Sequence, residues 1–549
     1  MRNRRELLAT GLGAALAMSA GRGGAQASPA GRDLLILNAR AWTLDPTLPS
    51  AEAVLVRKGR IAYVGDAATA RSRGVGAPVF DAGGRTLVPG FIDGHIHVEA
   101  FSESMDFQTA LPASARSLPE IFAVLRQAAA NTPPGRWIIV RGVANMNGWV
   151  AEKRMPTREE LDAVSERPLA LFSSPHVVSL NTPALKALGV WTEREEKALK
   201  WRDGTLVGGI GVHRNPDGTP QGIATEVQEL IWQLQPYTPA ELQASYRAHA
   251  LKDYAAKGIT SAINISGSRE RVAAITALHQ RGEMPLRTRR YFLVPQATGF
   301  ADIQRAGLTR GAGDDMDRFG GVKLFIDGAG TDGRGNRIED YKWDAAALAE
   351  IVTRCNRAQL PVIMHAVSPG GMKLGLDAVA EAERRAPAGL RHRMDHLHFL
   401  GDPAAIQRIK ALGLGVGLTR AQRGDGRPRA TPDFRTFLDA GVRVQAVSDS
   451  AGSFSNFSPM AGIASLVAPV SEGGVQAAGR ELTLDEAMRL YTTTAAYGLY
   501  EESEKGSISV GKFGDFALLS QDPRTLAPGA LFDVKVDAVI VGGRQVVGA

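Results

Sequence analysis

Two histidines one residue apart, His95 and His97, close the segment Pro89-Gly90-Phe91-Ile92-Asp93-Gly94-His95-Ile96-His97. On a strand, residues i and i+2 project to the same side. Both imidazoles can therefore converge on one point, as a divalent ion requires of its donors. The competing reading is a hydrogen-bonded histidine pair on a half-buried strand. Lys323 sits inside the apolar run Val322-Lys323-Leu324-Phe325. An ammonium there is costly to bury, unless the stem is buried and the head reaches water. His365 directly follows Val362-Ile363-Met364, and Met394-Asp395-His396-Leu397-His398-Phe399 holds a second H-x-H. Asp449 follows Val444–Val447 in Ser448-Asp449-Ser450. Each alone is compatible with a satisfied core or loop residue. Together, each after its own apolar run, they form a constellation that chance rarely assembles, with nitrogen and carboxylate donors that suit zinc, iron or manganese.

These side chains need a scaffold that brings several strand ends to one place. Apolar runs at 137–140, 169–172, 261–264, 322–326, 361–364, 415–418 and 442–447 read as strands. They alternate with helical stretches at 118–130, 239–257, 269–282, 344–358, 372–385, 402–412 and 483–496. Alternating apolar strands and helices predict a parallel sheet with helices outside it. Residues 89–500 fit an α/β fold of the (β/α)8 barrel type, with an insertion around 112–240. A barrel places residues such as His365 at its C-terminal mouth, where catalysis occurs in this fold. Short β-rich runs at 33–37, 53–56, 60–65, 84–88, 514–519 and 537–547 flank the barrel region. They predict a small β-sandwich built from both ends of the chain, residues 28–88 and 501–549.

With these motifs in place, the chain resembles the amidohydrolase superfamily. The order H-x-H, Lys, His, His, Asp at successive barrel strands is that superfamily's signature. The segment 89–97 is similar to its opening motif, and Gly506-Ser507-Ile508-Ser509-Val510-Gly511-Lys512-Phe513-Gly514-Asp515-Phe516 to its closing one. Within it, the chain looks most like the amidohydrolase 3 group, which includes N-substituted formamide deformylases. That likeness rests on Pro156–Asp162, His176 before Asn181–Leu185, Gly218–Gly222 leading to Glu226, and Val322–Gly328. Two features depart from the group. Asp395-His396-Leu397-His398 has a histidine where the group has another residue, which makes His396 the better ligand and puts His398 behind it. His365 is followed by Ala366-Val367-Ser368 rather than by a Gly-Asp pair, a difference that bears on substrate rather than on metal position.

The resemblance implies a metal-dependent hydrolase of a C–N bond in an amide, formamide or cyclic amide. It implies one or two divalent ions, with zinc the expected metal. His95 and His97 would hold one ion with Asp449 near it. Lys323, carboxylated by carbon dioxide, would bridge to a second position completed by His365 and His396. A metal lowers the pKa of bound water towards about 7 and polarises a carbonyl. Asp449 would take the nucleophile's proton and deliver it to the leaving nitrogen. His176 would orient substrate, with Glu226 and Asp327 supporting nearby groups. His213, His249, His279 and His392 lack strand-end placement and read as surface or packing residues, and Trp149 and Phe172 as core. Two alternatives stand beside hydrolysis. One is deamination on the same fold, against which Lys323 argues because such deaminases use one ion without a bridging lysine. The other is an exported, non-catalytic binding protein, which would require a broken metal set.

Composition agrees with an enzyme. The 549 residues are 44% hydrophobic and 22% charged, which excludes a disordered or collagen-like chain. A single cysteine, Cys355, excludes an intrachain disulfide and a cysteine-based zinc ribbon. Arg4-Arg5 precede the short apolar run Leu7–Ala20, and Ala25-Gln26-Ala27 is an A-x-A cleavage site. Residues 1–27 thus resemble a twin-arginine export signal, and the expected location is the bacterial periplasm. Removing them lowers the formal charge from +7 to +4. No dense basic stripe interleaved with aromatics suggests nucleic-acid binding, and no later segment reads as a membrane span. The expected partner is a small amide-like substrate, and a homodimer is left open by the resemblance.

Overall fold

The computed structural model describes residues 31–142, 149–174, 176–201, 207, 209–295, 298–328, 341–397, 403–419, 433–450, 458–476 and 479–548. Residues 1–27, expected to be an export signal, and His398 lie outside the described residues. Eight parallel strands form the central sheet: β1 (Phe91–Ile96), β2 (Ile259–Ser266), β3 (Arg287–Leu293), β4 (Asp317–Phe325), β5 (Val362–Ala366), β6 (Arg393–His396), β7 (Gly415–Thr419) and β8 (Arg443–Val447). Neighbours in space follow chain order, as right-handed β-α-β crossovers dictate. The ring closes where Ile96 pairs with Ser450 and the Asp449 N–H donates to the His95 carbonyl at 2.9 Å. Gly94 makes this seam possible. A Cβ there would sit 2.7 Å from Gln445 Oε1 and 2.9 Å from Val447 Cγ1, both on β8.

Strand-borne side chains such as Val322, Leu324, Val362, Met364, Val416 and Val444 share one core with the inner faces of the surrounding helices. The helix Ala345–Arg357 shows the pattern. Asp344 caps it by accepting from the Ala347 N–H, and Leu348, Ile351, Val352 and Cys355 form its buried stripe. Cys355 is therefore a packing residue.

The sandwich has two sheets. One orders the strands 60–65, 53–57, 34–37 and 79–81. The other orders 544–547, 536–541, 516–519, 86–89, 40–42 and 50–51, so strands from both ends of the chain share one sheet. Ile36, Val54, Leu87, Phe516 and Ile540 fill the core between them.

Between β1 and β2 lies a further six-stranded sheet, 211–214, 220–225, 177–180, 169–174, 138–141 and 109–110. The strands expected at 137–140 and 169–172 thus belong to the insertion, not the barrel. Trp149 and Phe172 pack into its two cores, and Trp149 Nε1 donates to the Ala115 carbonyl at 2.9 Å. The expected helix 483–496 is two, Leu484–Leu490 and Thr493–Gly498. β3, Arg-Thr-Arg-Arg-Tyr-Phe-Leu, was not among the expected strands, because its first four residues are polar yet fully buried.

Candidate metal centre

The metal-ligand candidates stand where the barrel strands end. His95 is the penultimate residue of β1, His365 and His396 lie at the ends of β5 and β6, and Asp449 follows β8. His95 Nε2 and His97 Nε2 are 3.2 Å apart, and each lies 3.4 Å from Asp449 Oδ1. These three residues form the only group of at least three His, Cys, Asp or Glu side chains, among the described residues, that could hold an ion. His396 Nδ1 is 3.9 Å from Asp449 Oδ2, and the His396 ring is 4.4 Å from His365 and 5.3 Å from His95. The geometry brings the histidines of β1, β5 and β6 and the aspartate of β8 to one end of the barrel.

The backbone is bent to achieve this. His396 (φ 80°), Leu397 (φ 47°) and Asp449 (φ 50°) adopt left-handed conformations that non-glycine residues rarely occupy. Such conformations persist where the surroundings over-determine them, and they cluster at functional sites.

A layer of charge behind the donors fixes their orientation. Asp395 Oδ2 is 2.5 Å from His95 Nδ1, so the Nε2 of His95 faces Asp449 and His97. Arg393 holds Asp395 through both oxygens, at 2.7 and 2.8 Å, and also donates to Gln445 and to the Gly94 carbonyl. Metal-bound histidines commonly carry such a carboxylate on the second ring nitrogen. Asp93 plays a similar part for the backbone, accepting from the His95 and Ser448 N–H groups at 3.1 Å each. Asp327 accepts from the Val367 and Ser368 N–H groups and fixes the turn after His365.

Lys323 decides between its two readings. It is fully buried, and its Nζ has no hydrogen-bond partner. The head does not reach water. An orphaned buried amine requires an explanation, and conversion to a carbamate that ligates an ion would supply one.

The protonation states suit metal donors. Burial, aided by Lys323, lowers His95 to about 4 despite Asp395 and Asp449. Burial likewise holds His365 and His396 far below the usual imidazole value, with Lys323 adding to the effect at both. Neutral imidazoles are the ligating form. Burial alone would raise Asp449, but His95, His97 and His396 outweigh it and hold the carboxyl well below the ordinary range. Burial lowers Lys323 to about 8, against the pull of Asp395 and Asp449.

The insertion roofs the same mouth. His176 comes between the strands 169–174 and 177–180, and its ring lies 5.8 Å from that of His365. Glu226, at the end of the strand 220–225, faces His176 Nδ1 at 3.0 Å. Lys342 Nζ is 3.5 Å from the same carboxylate. Burial opposes ionisation of Glu226, yet His176 and Lys342 bring it to about 2. Burial likewise opposes the His176 imidazolium, and Glu226 outweighs it to raise the imidazole above its usual value. Sequence reasoning missed Lys342 and Arg393. Lys342 lies in a connection with no pattern to mark it. Arg393 opens β6 after the polar Arg391-His392, where no apolar run marks it as buried.

The family model described as the Amidohydrolase family matches residues 78–547. An N-substituted formamide deformylase of Arthrobacter pascens is 28% identical over 93% of this chain and 98% of its own length. A metal-dependent hydrolase of Pyrococcus horikoshii shares the fold with a TM-score of 0.67 at 19% identity, covering 90% of this chain and 99% of that one. A zinc-bound adenosine deaminase of Xanthomonas campestris shares it with a TM-score of 0.55 at 14% identity, covering 94% and 93%. With a match that spans the barrel and reaches into both parts of the sandwich, the chain belongs to the Amidohydrolase family.

Proposed function

We propose that this protein hydrolyses a C–N bond of a small amide-like molecule, an N-substituted formamide, another amide or a cyclic amide. The observation that carries this reading is the convergence of His95 Nε2, His97 Nε2 and Asp449 Oδ1 within 3.4 Å, beside a buried lysine without a partner. The 28% identity with the formamide deformylase along nearly the whole chain supports the substrate class.

His95, His97 and Asp449 are the residues that would hold a divalent ion, with His365, His396 and a carboxylated Lys323 as the donors for a second; zinc matches the nitrogen and oxygen donor set. When bound, such an ion supplies Lewis acidity, lowering the pKa of water towards about 7 and polarising a carbonyl. The chain's own groups do the rest. Asp395 keeps the proton on His95 Nδ1 and so aims Nε2. The Asp449 carboxylate, ionised at neutral pH, accepts the proton of the attacking water and returns it to the leaving nitrogen. His176, held by Glu226, is placed to donate a hydrogen bond to substrate on the side of His365. Burial keeps a neutral fraction of Lys323 near neutral pH, so its Nζ can add carbon dioxide and release one proton, giving a carbamate.

The test is a panel of formamides, N-acyl amides, cyclic imides, ureas and aminated heterocycles, assayed with zinc-, manganese- and iron-loaded protein. The expected result is release of an amine and a carboxylic acid from an amide or formamide. Ammonia release from heterocycles alone would replace hydrolysis with deamination. A folded protein that binds no ion would return the binding-protein reading.

We also propose a periplasmic location, on the strength of Arg4-Arg5 and the apolar run that follows. Replacing both arginines by lysine should retain the protein in the cytoplasm, as read by cell fractionation. Unchanged export would remove the twin-arginine assignment.

A further inference from the structure

At the end of the barrel away from the metal donors, a cavity of about 230 Å³ opens between the barrel and the sandwich. Its lining includes five cationic side chains, Arg32, Lys58, Arg60, Arg287 and Arg544, and one carboxylate, Asp315. Two of the cations are neutralised. Arg287 makes two hydrogen bonds to Asp515, at 2.7 and 2.9 Å, and Arg60 meets Asp315 at 3.2 Å and Glu504 at 3.4 Å. Arg32, Lys58 and Arg544 have no ion pair among the described residues. Arg544 reaches only the Gly282 carbonyl, at 3.4 Å. Burial, with Arg32 adding repulsion, pushes its guanidinium below the usual value. Asp33, held by the Lys58 N–H at 2.8 Å, offsets Lys58, so Arg32 and Arg544 are left as the cations whose field at the cavity attracts an anion.

We propose that this cavity binds a small multivalent oxyanion, the chemistry shared by phosphate and polycarboxylates. The volume lies below the range of about 300–1,000 Å³ usual for drug-sized ligands, which favours a small ion. Arg32, Lys58 and Arg544 come from the sandwich, and His279 and Arg287 from the barrel. A bound anion would join the two bodies. It would raise stability by mass action while leaving the catalytic end untouched.

The test is thermal unfolding of the full, metal-loaded chain titrated with inorganic phosphate, with citrate, and with chloride at matched ionic strength. The expected result is a saturable rise in Tm with phosphate or citrate and none with chloride. Whichever of the two saturates at lower concentration identifies the class. Arg32→Ala with Arg544→Ala should weaken the effect at least about tenfold, through two lost charge-assisted contacts, with turnover unchanged. Arg32→Ala alone, at an exposed position, should show the same loss in smaller measure and covers the case in which the double variant fails to fold. The proposal is overturned if neither anion exceeds chloride. It is equally overturned if either variant keeps the full shift, since the anion would then bind elsewhere, the metal centre included.

Discussion

Asp449 and His95 carry the most chemistry per atom in this molecule. Asp449→Asn keeps the shape and removes both the proton acceptor and one charged metal donor, so kcat should fall by about 10²–10⁴ or more, with metal content read in parallel by elemental analysis. His95→Ala should lose both the ion and turnover, with an unchanged circular dichroism spectrum. Near-parental rates in either variant would displace the site. Lys323→Ala separates a bridging role from a packing role. If the lysine is a carbamate ligand, the variant binds about one equivalent of metal less, and short carboxylic acids restore part of the activity by occupying the vacated space. Unchanged metal content would make Lys323 a buried lysine and nothing more. The demand for an explanation is already in its burial, since its Nζ meets no acceptor.

The strands and their connections hold these residues through contacts that residue type alone does not reveal. His392, just before β6, accepts from the Val362 N–H at 3.0 Å through Nδ1 and donates to Asn356 at 2.8 Å through Nε2. It thereby fastens the start of β6 to the start of β5. Burial lowers its pKa to about 4, against an unfolded value of about 6.5. The neutral form is the folded form. Between pH 6.5 and 4 the unfolded chain takes up a proton that the folded chain refuses, so stability falls as pH falls through that window, by roughly 3 kcal/mol in all. Above pH 6.5 the contribution is constant. His392→Gln preserves an acceptor and a donor, and its stability in urea should lose this part of the pH dependence. A variant with the parental acid profile would show that His392 is not its source.

At the scale of the whole molecule, buried ion pairs lock the barrel floor. Glu501 Oε1 accepts from Arg289 Nε at 2.5 Å and Arg318 Nη1 at 2.9 Å, and Lys505 Nζ lies 2.7 Å from Oε2. Arg287 joins β3 to the sandwich through Asp515. Removing one partner of a buried pair leaves the other charge stranded, at a cost of about 3–5 kcal/mol. Glu501→Gln should therefore destabilise the protein by about that amount in urea titration, while the metal content of the folded fraction stays the same. A change under 1 kcal/mol would show that solvent reaches the cluster. Among the described residues no helix is long and apolar enough to cross a membrane.

The sequence by itself determined the α/β barrel, the sandwich drawn from both ends of the chain, and the placement of the histidines and Asp449 at strand ends. Apolar period and H-x-H spacing are local signals, and the parallel barrel converts strand order directly into proximity. It did not reveal β3, because Arg287, Arg289 and Arg290 read as exposed until their acids, Asp515, Glu501 and Asp317, are placed beside them. It could not assign the strands at 138–141 and 169–174 to the insertion, since an apolar strand looks the same in either sheet. Nor could it find that Asp395 orients His95, 300 residues away, or that Glu226 and Lys342 stand together at His176. Those pairings are electrostatic and long-range. Only the folded chain decides them, because a charge's environment is set by which distant segments exclude water around it.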